Sequence, residues 1–382
     1  MMTHLKGGTI IFKDQVEKKD IVYDTTIQLI HEPSPVNDED VSCIDVSGLY
    51  VAPGFIDVHI HGSNGADVMD GTIESLETIS CAILKNGTTR FLPTTMTMAT
   101  ESILKSLSTI KAYQGRELGA KILGVHLEGP FISKGSFGAQ SPTYIQSPDL
   151  ELIRPYLDLV KIVTYAPEED PAYKFTQDLV THQIAPSIGH TCCSYETACE
   201  AIQHGARGFT HLFNAMTGLH HRKPGAVGAA LSSDAYVELI ADGIHVHPHL
   251  FGLIEKLKTP SRLLLVTDAM RAACLKDGVF DLGGQPVHVK EGVATLTDGT
   301  LAGSVLNQIQ AVKNMKENTD LNLSQIIQMV TLTPATYVGV DDVLGSIEIG
   351  KIADFVVFDE NLDIHYVICE GKCLYRRDRE SN

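Results

Sequence analysis

Gly54-Phe55-Ile56-Asp57-Val58-His59-Ile60-His61-Gly62 carries an apolar, β-branched run into a His-x-His pair and a glycine. Residues i and i+2 of a strand share one face, so His59 and His61 point the same way from its end. Two imidazoles placed like this can grip one metal ion, or each can simply satisfy a hydrogen bond at a strand end. The residues around the stretch decide what kind of sheet it enters.

Downstream, apolar runs of strand length alternate with helix-length segments. The strands are expected at Gly54–His61, Thr89–Thr94, Ile122–Glu128, Val160–Tyr165, Ala185–His190, Gly208–Leu212, Val237–Ala241 and Leu263–Asp268. Helices are expected between most of them, at Ile73–Asn86, Glu101–Glu117, Tyr173–His182 and Tyr195–His204. That alternation is the βαβ signature of a parallel sheet. Eight strands with intervening helices predict an α/β fold built on a closed (β/α)8 TIM-type barrel over residues 53–345. An open doubly wound sheet is the alternative, but no Gly-x-Gly-x-x-Gly turn follows any strand.

Upstream, Thr9–Lys13, Asp20–Asp24, Thr26–Ile30 and the segment Glu32–Asp40 are short and punctuated by turn residues, which predicts a small antiparallel sheet. Past Gly345 strands are expected again at Ser346–Ile349, Asp354–Phe358, Ile364–Cys369 and Lys372–Tyr375. Residues 1–52 and 346–382 are therefore expected to build one small β-sandwich domain from both chain ends. Phe280–Thr297, with Gly-Gly and Asp-Gly turns, reads as a hairpin insertion ahead of helices at Ser304–Glu317 and Ser324–Val330. Arg376–Asn382 reads as a polar tail.

Composition narrows the function. A chain of 382 residues with 43% hydrophobic and 20% charged residues has the make-up of a soluble globular protein. Its formal charge of −17 argues against a nucleic-acid surface, although a locally basic pocket could still take a small anion. No run is long enough to span a membrane, and Met1–Lys6 lacks the apolar stretch of an export signal, so a cytoplasmic location is expected. The eight cysteines form no Cys-x-x-Cys and read as reduced thiols, the adjacent Cys192 and Cys193 included.

A barrel should carry its chemistry at the carboxyl ends of its strands. The expected strands end in His59 and His61, His126 and Glu128, His190, His211, then Asp242 to His245, and finally Asp268. Imidazoles and carboxylates converging on one rim suit a borderline divalent cation with a position left for water. An acid in a buried strand is costly without a cation nearby, which favours Glu128 as a ligand over a salt-bridge partner. Asp268 reads as a general base or as a buried acceptor, and His126 as a residue behind the ligands.

The run Val51–Gly62 resembles the opening of the amidohydrolase superfamily barrel, and Leu344–Phe355 resembles its return to the small β domain. His126-Leu127-Glu128-Gly129-Pro130-Phe131, Gly189-His190-Thr191, His211–Met216, Ala241–His245 and Val266–Met270 are similar to the motifs of the N-acetylglucosamine-6-phosphate deacetylase family, in order along nearly the whole chain. The resemblance implies Glu128, His190 and His211 as the principal metal site. It implies His59 and His61 as a second position bridged by Glu128, for one or two divalent ions of Zn, Fe, Mn or Co. Asp268 would act as base and then acid on metal-activated water attacking the acetyl carbon of a phosphorylated amino sugar. Ala139, Gln140, Asn214, Ala215, Arg222, His245, Leu301, Ala302 and Gly303 would contact the substrate, with Arg222 and His245 on its phosphate. A homodimer is implied, with Arg222 near the neighbouring subunit's site. Gln140 stands where some members of the family carry a histidine; it either binds the sugar or gives weaker help to the carbonyl.

Two rivals follow from the same residues. A ring-opening amidohydrolase would be expected to carry a lysine further along the fourth strand, whose only lysine, Lys161, is near its start. A catalytically silent scaffold would be expected to lose ligands, and none is missing.

Overall fold

The computed structural model describes residues 2–33 and 42–377. The apolar runs after Gly54 form parallel strands that are buried almost throughout, as strands covered by helices must be. Phe55–Ile60, Thr88–Pro93 and Lys121–Ile122 make a three-stranded sheet. Val125–Glu128, Val160–Tyr165, Ala185–Ile188, Gly208–Phe209, Tyr236–Ile240 and Leu263–Val266 make a six-stranded one, each strand pairing with the next. The expected strand Ile122–Glu128 is thus broken at Leu123-Gly124, and its halves serve different sheets.

Two seams join these sheets. Thr94 bridges His126 and Ile60 bridges Ala269, both in parallel sense. At the second seam the Asp268 amide donates to the His59 carbonyl at 2.8 Å and the His61 amide to the Ala269 carbonyl at 2.9 Å. Gly62 lies there because nothing larger fits: a Cβ would meet the Ala66 carbonyl oxygen at 2.4 Å and the Arg271 nitrogen at 2.9 Å.

Several helices start where sequence chemistry sets a cap. Thr72, Ser194, Asn307 and Asn322 each accept a hydrogen bond from a backbone amide of the first turn with their side chains. In Ile73–Leu84 the residues Leu76, Ile79 and Ile83 are buried at helical spacing against the strands. A helix at Leu332–Val338, beyond the helices expected from the sequence, also forms; a proline in the first turn loses no helical hydrogen bond.

A second, eight-stranded sheet draws on both chain ends. It runs Lys372–Arg376, Ile364–Cys369, Phe355–Phe358, Tyr50–Pro53, Thr3–Ile11, Val16–Tyr23 and Ile27–His31, with Ser42–Asp45 beside Thr3–Ile11. It has its own apolar core of Leu5, Ile21, Tyr23, Val51, Phe355, Val357 and Ile368 among others. This corrects the expected antiparallel arrangement: Ser42–Asp45 and Tyr50–Pro53 both run parallel to Thr3–Ile11, because the chain leaves and re-enters the sheet between them. Ser346–Ile349, expected as a strand, is irregular and joins no sheet. The segment Glu32–Asp40 lies largely, and the tail to Asn382 mostly, outside the described residues. The buried Arg90, from the second parallel strand, donates to the Asp354 carboxylate at 2.7 and 3.3 Å and ties the two bodies of sheet together.

The segment Phe280–Thr297 forms three strands, Gly278–Leu282, Gln285–Lys290 and Val293–Thr295, one more than a hairpin. They pack on Met96, Met270 and Ala302 above the strand ends. Gln285 fastens the insertion to the opposite wall, donating to the Ala139 carbonyl at 2.7 Å.

Candidate active site

The strands stop short of the residues that matter. His190, His211 and Asp268 each lie one or two residues past a strand end, with φ of +47°, +35° and +47°; Phe213 and Ala215 follow at +76° and +47°. A left-handed residue ends a ladder and turns its side chain out of the strand's alternation. Such conformations outside glycine are uncommon and cluster where a site demands them.

These turns aim four imidazoles at one acid. Glu128 Oε1 lies 3.1 Å from His211 Nε2, 3.2 Å from His190 Nε2 and 3.5 Å from His59 Nε2. Its Oε2 lies 3.2 Å from His61 Nε2. His59 and His61 approach each other to 3.3 Å through Nε2, as expected of the same strand face. Asp268 Oδ1 completes that side, 3.2 Å from His61 Nε2 and 3.4 Å from His59 Nε2.

The far side of three of the rings explains their direction, while His211 Nδ1 is buried without a hydrogen-bond partner. His61 Nδ1 donates to the Thr94 carbonyl at 3.2 Å and His190 Nδ1 to the Ser136 carbonyl at 3.1 Å. A carbonyl can only accept, so Nδ1 carries a proton and Nε2 faces inward. His59 Nδ1 is held by Glu238 Oε2 at 2.9 Å. The same oxygen accepts the His211 amide at 3.2 Å. Glu238, from the strand Tyr236–Ile240, is the important residue that sequence reasoning missed. Its signal was present: an acid inside Tyr-Val-Glu-Leu-Ile, buried on both faces, requires a partner.

Burial opposes ionisation throughout the cluster, yet the partners prevail. The imidazole of His59, with His190 and His211, holds the Glu128 carboxyl well below its usual range. His59 and the hydrogen bond from His61 bring Asp268 down to about 2. Asp268, Glu128 and Glu238 raise His59 well above an ordinary imidazole, and Asp268 and Glu128 raise His61 to about 9. Ionised carboxylates here demand positive charge, which a divalent cation held by these residues would supply in place of imidazole protons.

Two donor sets share Glu128, one with His190 and His211 and one with His59 and His61; a third group, His59, His126 and Glu238, is tied up in hydrogen bonds at His59 Nδ1 and at both His126 nitrogens. Ligands about 2.0–2.1 Å from a tetrahedral ion stand about 3.3–3.4 Å apart. The separations of 3.0 to 3.2 Å within the first set are close to that. His126 belongs to neither set; its ring nitrogens engage the Val58 carbonyl and Thr164 Oγ1, and it packs behind His59.

A cavity of about 230 Å³ opens over the cluster. Of the expected residues, His61, Glu128, Ala139, Gln140, His190, His211, Asn214, Ala215, His245, Asp268, Leu301 and Gly303 line it. His245 is fixed by Asp242 Oδ2 at 2.7 Å, and this bond outweighs burial and raises its pKa. Gln140 has both ends of its amide committed: Nε2 donates to Glu128 Oε2 at 2.7 Å and Oε1 accepts the Thr97 amide at 2.7 Å. It braces Glu128 and also lines the cavity. Asn214 Nδ2 donates to the His211 and Leu212 carbonyls. Two expected contacts fall outside the wall. Ala302 is buried with Met96 and Met270, and Arg222 is exposed, its guanidinium beside His221. A larger depression of about 710 Å³, lined by Asn64, Glu74, Cys81, Lys85 and Cys274 among others, contains none of the converging donor sets.

The chain is 41% identical to an N-acetylglucosamine-6-phosphate deacetylase of Bacillus subtilis, over 85% of this chain and 84% of that one. It is 36% identical to an N-acetylgalactosamine-6-phosphate deacetylase of Escherichia coli, over 89% and 90%. The crystal structure of N-acetylglucosamine-6-phosphate deacetylase from Pasteurella multocida superposes with a TM-score of 0.93 at 32% identity, over 98% of this chain and 99% of that one. The sequence model of the Amidohydrolase family matches residues 50–374, and with these relatives it establishes that the chain belongs to the amidohydrolase family.

Proposed function

We propose that this chain is an N-acetylglucosamine-6-phosphate deacetylase, hydrolysing N-acetyl-D-glucosamine 6-phosphate to D-glucosamine 6-phosphate and acetate in amino-sugar catabolism. The observation that carries this reading is that Asp268 and the Glu128–His190–His211 donor set line one cavity. Glu128, His190 and His211 would hold the principal divalent ion, and His59 and His61, sharing Glu128, a second. When bound, such an ion lowers the pKa of water and polarises a carbonyl. Asp268 takes the proton from the attacking water and delivers it to the departing amine, so one carboxylate serves as base and then acid. Asn214, Ala215, Leu301 and Gly303 position the sugar, and His245, its pKa raised by the bond to Asp242, meets its phosphate.

The test is acetate release from the 6-phosphates of both N-acetyl epimers and from unphosphorylated N-acetylglucosamine. Contacts to a charged group are worth about 1.5–3 kcal/mol, so kcat/KM for the phosphorylated sugar should exceed that for the free sugar by about 10- to 150-fold. Preference for the galacto epimer would reassign the substrate within the same chemistry, and no release from any would overturn the reading.

The finer architecture belongs to the same proposal: the seams Thr94–His126 and Ile60–Ala269 support a closed (β/α)8 barrel over residues 53–345. The shared core of strands from both ends supports a β-sandwich domain over 1–52 and 346–382. Among the described residues no helix is long and apolar enough to cross a membrane, and we assign the enzyme to the cytoplasm on the chemistry of its substrate.

Arg222, exposed on its own subunit, fits the implied homodimer in which it reaches the neighbour's phosphate. Arg222→Ala should raise KM for the phosphorylated sugar about 10-fold or more with little change in kcat. An unchanged KM removes it from the phosphate site, and sedimentation tests the dimer directly. Glu238→Gln keeps the shape but not the charge that orients His59. It should weaken the ion at His59 and His61 by about 10- to 100-fold while the Glu128–His190–His211 ion remains, as metal analysis after dialysis will read.

A further inference from the structure

The eight-stranded sheet carries a second convergence of metal-ligating side chains, unrelated to the cavity above the parallel strands. Its first three strands in sequence are neighbours, and Ile27–His31 lies at the sheet's edge. Leu5 pairs with Ile21 and Ile21 with Ile30, and these three belong to the apolar core on one face. The alternation of a strand then turns their neighbours to the opposite face. There His4 pairs with Val22, and Asp20 pairs directly with His31. Three strands thus bring His4, Asp20 and His31 together, at spacings of 16 and 11 residues that form no readable motif.

The donor atoms converge. One ring nitrogen from each histidine and one carboxylate oxygen of Asp20 all lie within 4.8 Å of one another. His4 Nε2 is 3.0 Å from Asp20 Oδ2. The other carboxylate oxygen accepts the Gly7 amide at 2.7 Å, which orients the carboxylate. His31 Nδ1 donates to the Glu32 carbonyl at 2.7 Å, so its proton is on Nδ1 and its Nε2 is a free lone pair. The carboxylate is fully removed from solvent, at 0% exposure, and His4 is at 7%, while His31 is half-buried and leaves a way in. A simple His–Asp hydrogen bond accounts for His4 and Asp20. It gives no reason for a second imidazole, oriented by its own carbonyl, beside a carboxylate this deeply buried.

We propose that His4, Asp20 and His31 bind one divalent transition-metal ion of the Zn²⁺ type, separate from the ions of the active site. Two imidazoles and one carboxylate exclude the hard ions Mg²⁺ and Ca²⁺, which take oxygen ligands, and leave a fourth position for water. The ion clamps the edge strand Ile27–His31 to Val16–Tyr23 and, beyond it, to Thr3–Ile11, so its effect is on the stability of the sheet and not on turnover.

The experiment uses the intact enzyme already loaded with zinc at its active site. Added Zn²⁺ is followed by equilibrium dialysis with metal analysis and by thermal unfolding, in the wild type, in His31→Gln and in His4→Gln. The half-buried His31 makes the first variant safe for folding. The wild type should hold one zinc equivalent more than either variant, and added Zn²⁺ should raise its Tm in a concentration-dependent way that both variants lose. Deacetylase activity should be the same in all three. Equal zinc content in wild type and variants, or a Tm rise that His31→Gln retains, overturns the proposal.

Discussion

Asp268→Asn lowers kcat by about 10²- to 10⁴-fold while the metal content of the protein and KM for the phosphorylated sugar stay close to wild type. The reasoning starts from geometry. Asparagine is nearly isosteric with aspartate and tolerates the left-handed backbone that Asp268 adopts at φ +47°, so the turn after Leu263–Val266 survives. Its amide oxygen can still meet His61, whose Nε2 lies 3.2 Å from Oδ1 in the parent. What an amide cannot do is take a proton from water and return it to an amine. The carboxyl of Asp268, held down at about 2 by His59 and His61, is ionised at neutral pH and ready to act as a base. Turnover close to wild type would remove Asp268 from that role. Loss of metal along with activity would make it a ligand instead.

Glu128→Gln has the second large effect, and it acts by a different route. The Glu128 carboxylate faces His59, His61, His190 and His211, and both candidate ion positions share it. Replacing it with a neutral amide strips the only acid from the His190–His211 set, while His59 and His61 keep Asp268, and His59 also Glu238, as counter-charge. Gln140, whose amide donates to Glu128 Oε2 at 2.7 Å, would then face another amide. Metal content should fall below one tenth of the parent's. Activity should fall by at least about 10³-fold, since polarisation by the ion is worth several kcal/mol, and excess Zn²⁺ should not restore it. A variant that keeps a full metal complement would show that His190 and His211 suffice. Comparison with Asp268→Asn separates the two roles: one loses the ion and the reaction, the other only the reaction.

Much of this was legible in the order of residues. His59 and His61 share a face because the run before them is strand-like, and the structure places their Nε2 atoms 3.3 Å apart. The apolar runs of strand length lie where parallel strands form, most to within two residues, because strands buried on both faces need such runs. Glu128, His190, His211 and Asp268 were recognisable as a set because each follows an apolar run at the same end of its strand. Local pattern carries that information.

The tertiary structure alone decided the rest, and the reason is distance along the chain. Glu238 supports His59 from 179 residues away, and no local pattern encodes that pairing. Gln140 braces Glu128 and is itself held by the Thr97 amide, contacts 12 and 43 residues apart that its motif does not encode. Arg222 and Ala302 sit inside good motifs yet outside the cavity wall, because a loop's course depends on what it packs against. His4, Asp20 and His31 meet only through the register of three strands. The sequence by itself determined which residues are chemically able to bind a metal and move a proton, since residue type and local periodicity are properties of the chain. Which of them meet, and which are held in place by a distant partner, was settled only when the strands paired, because convergence is a property of long-range contacts.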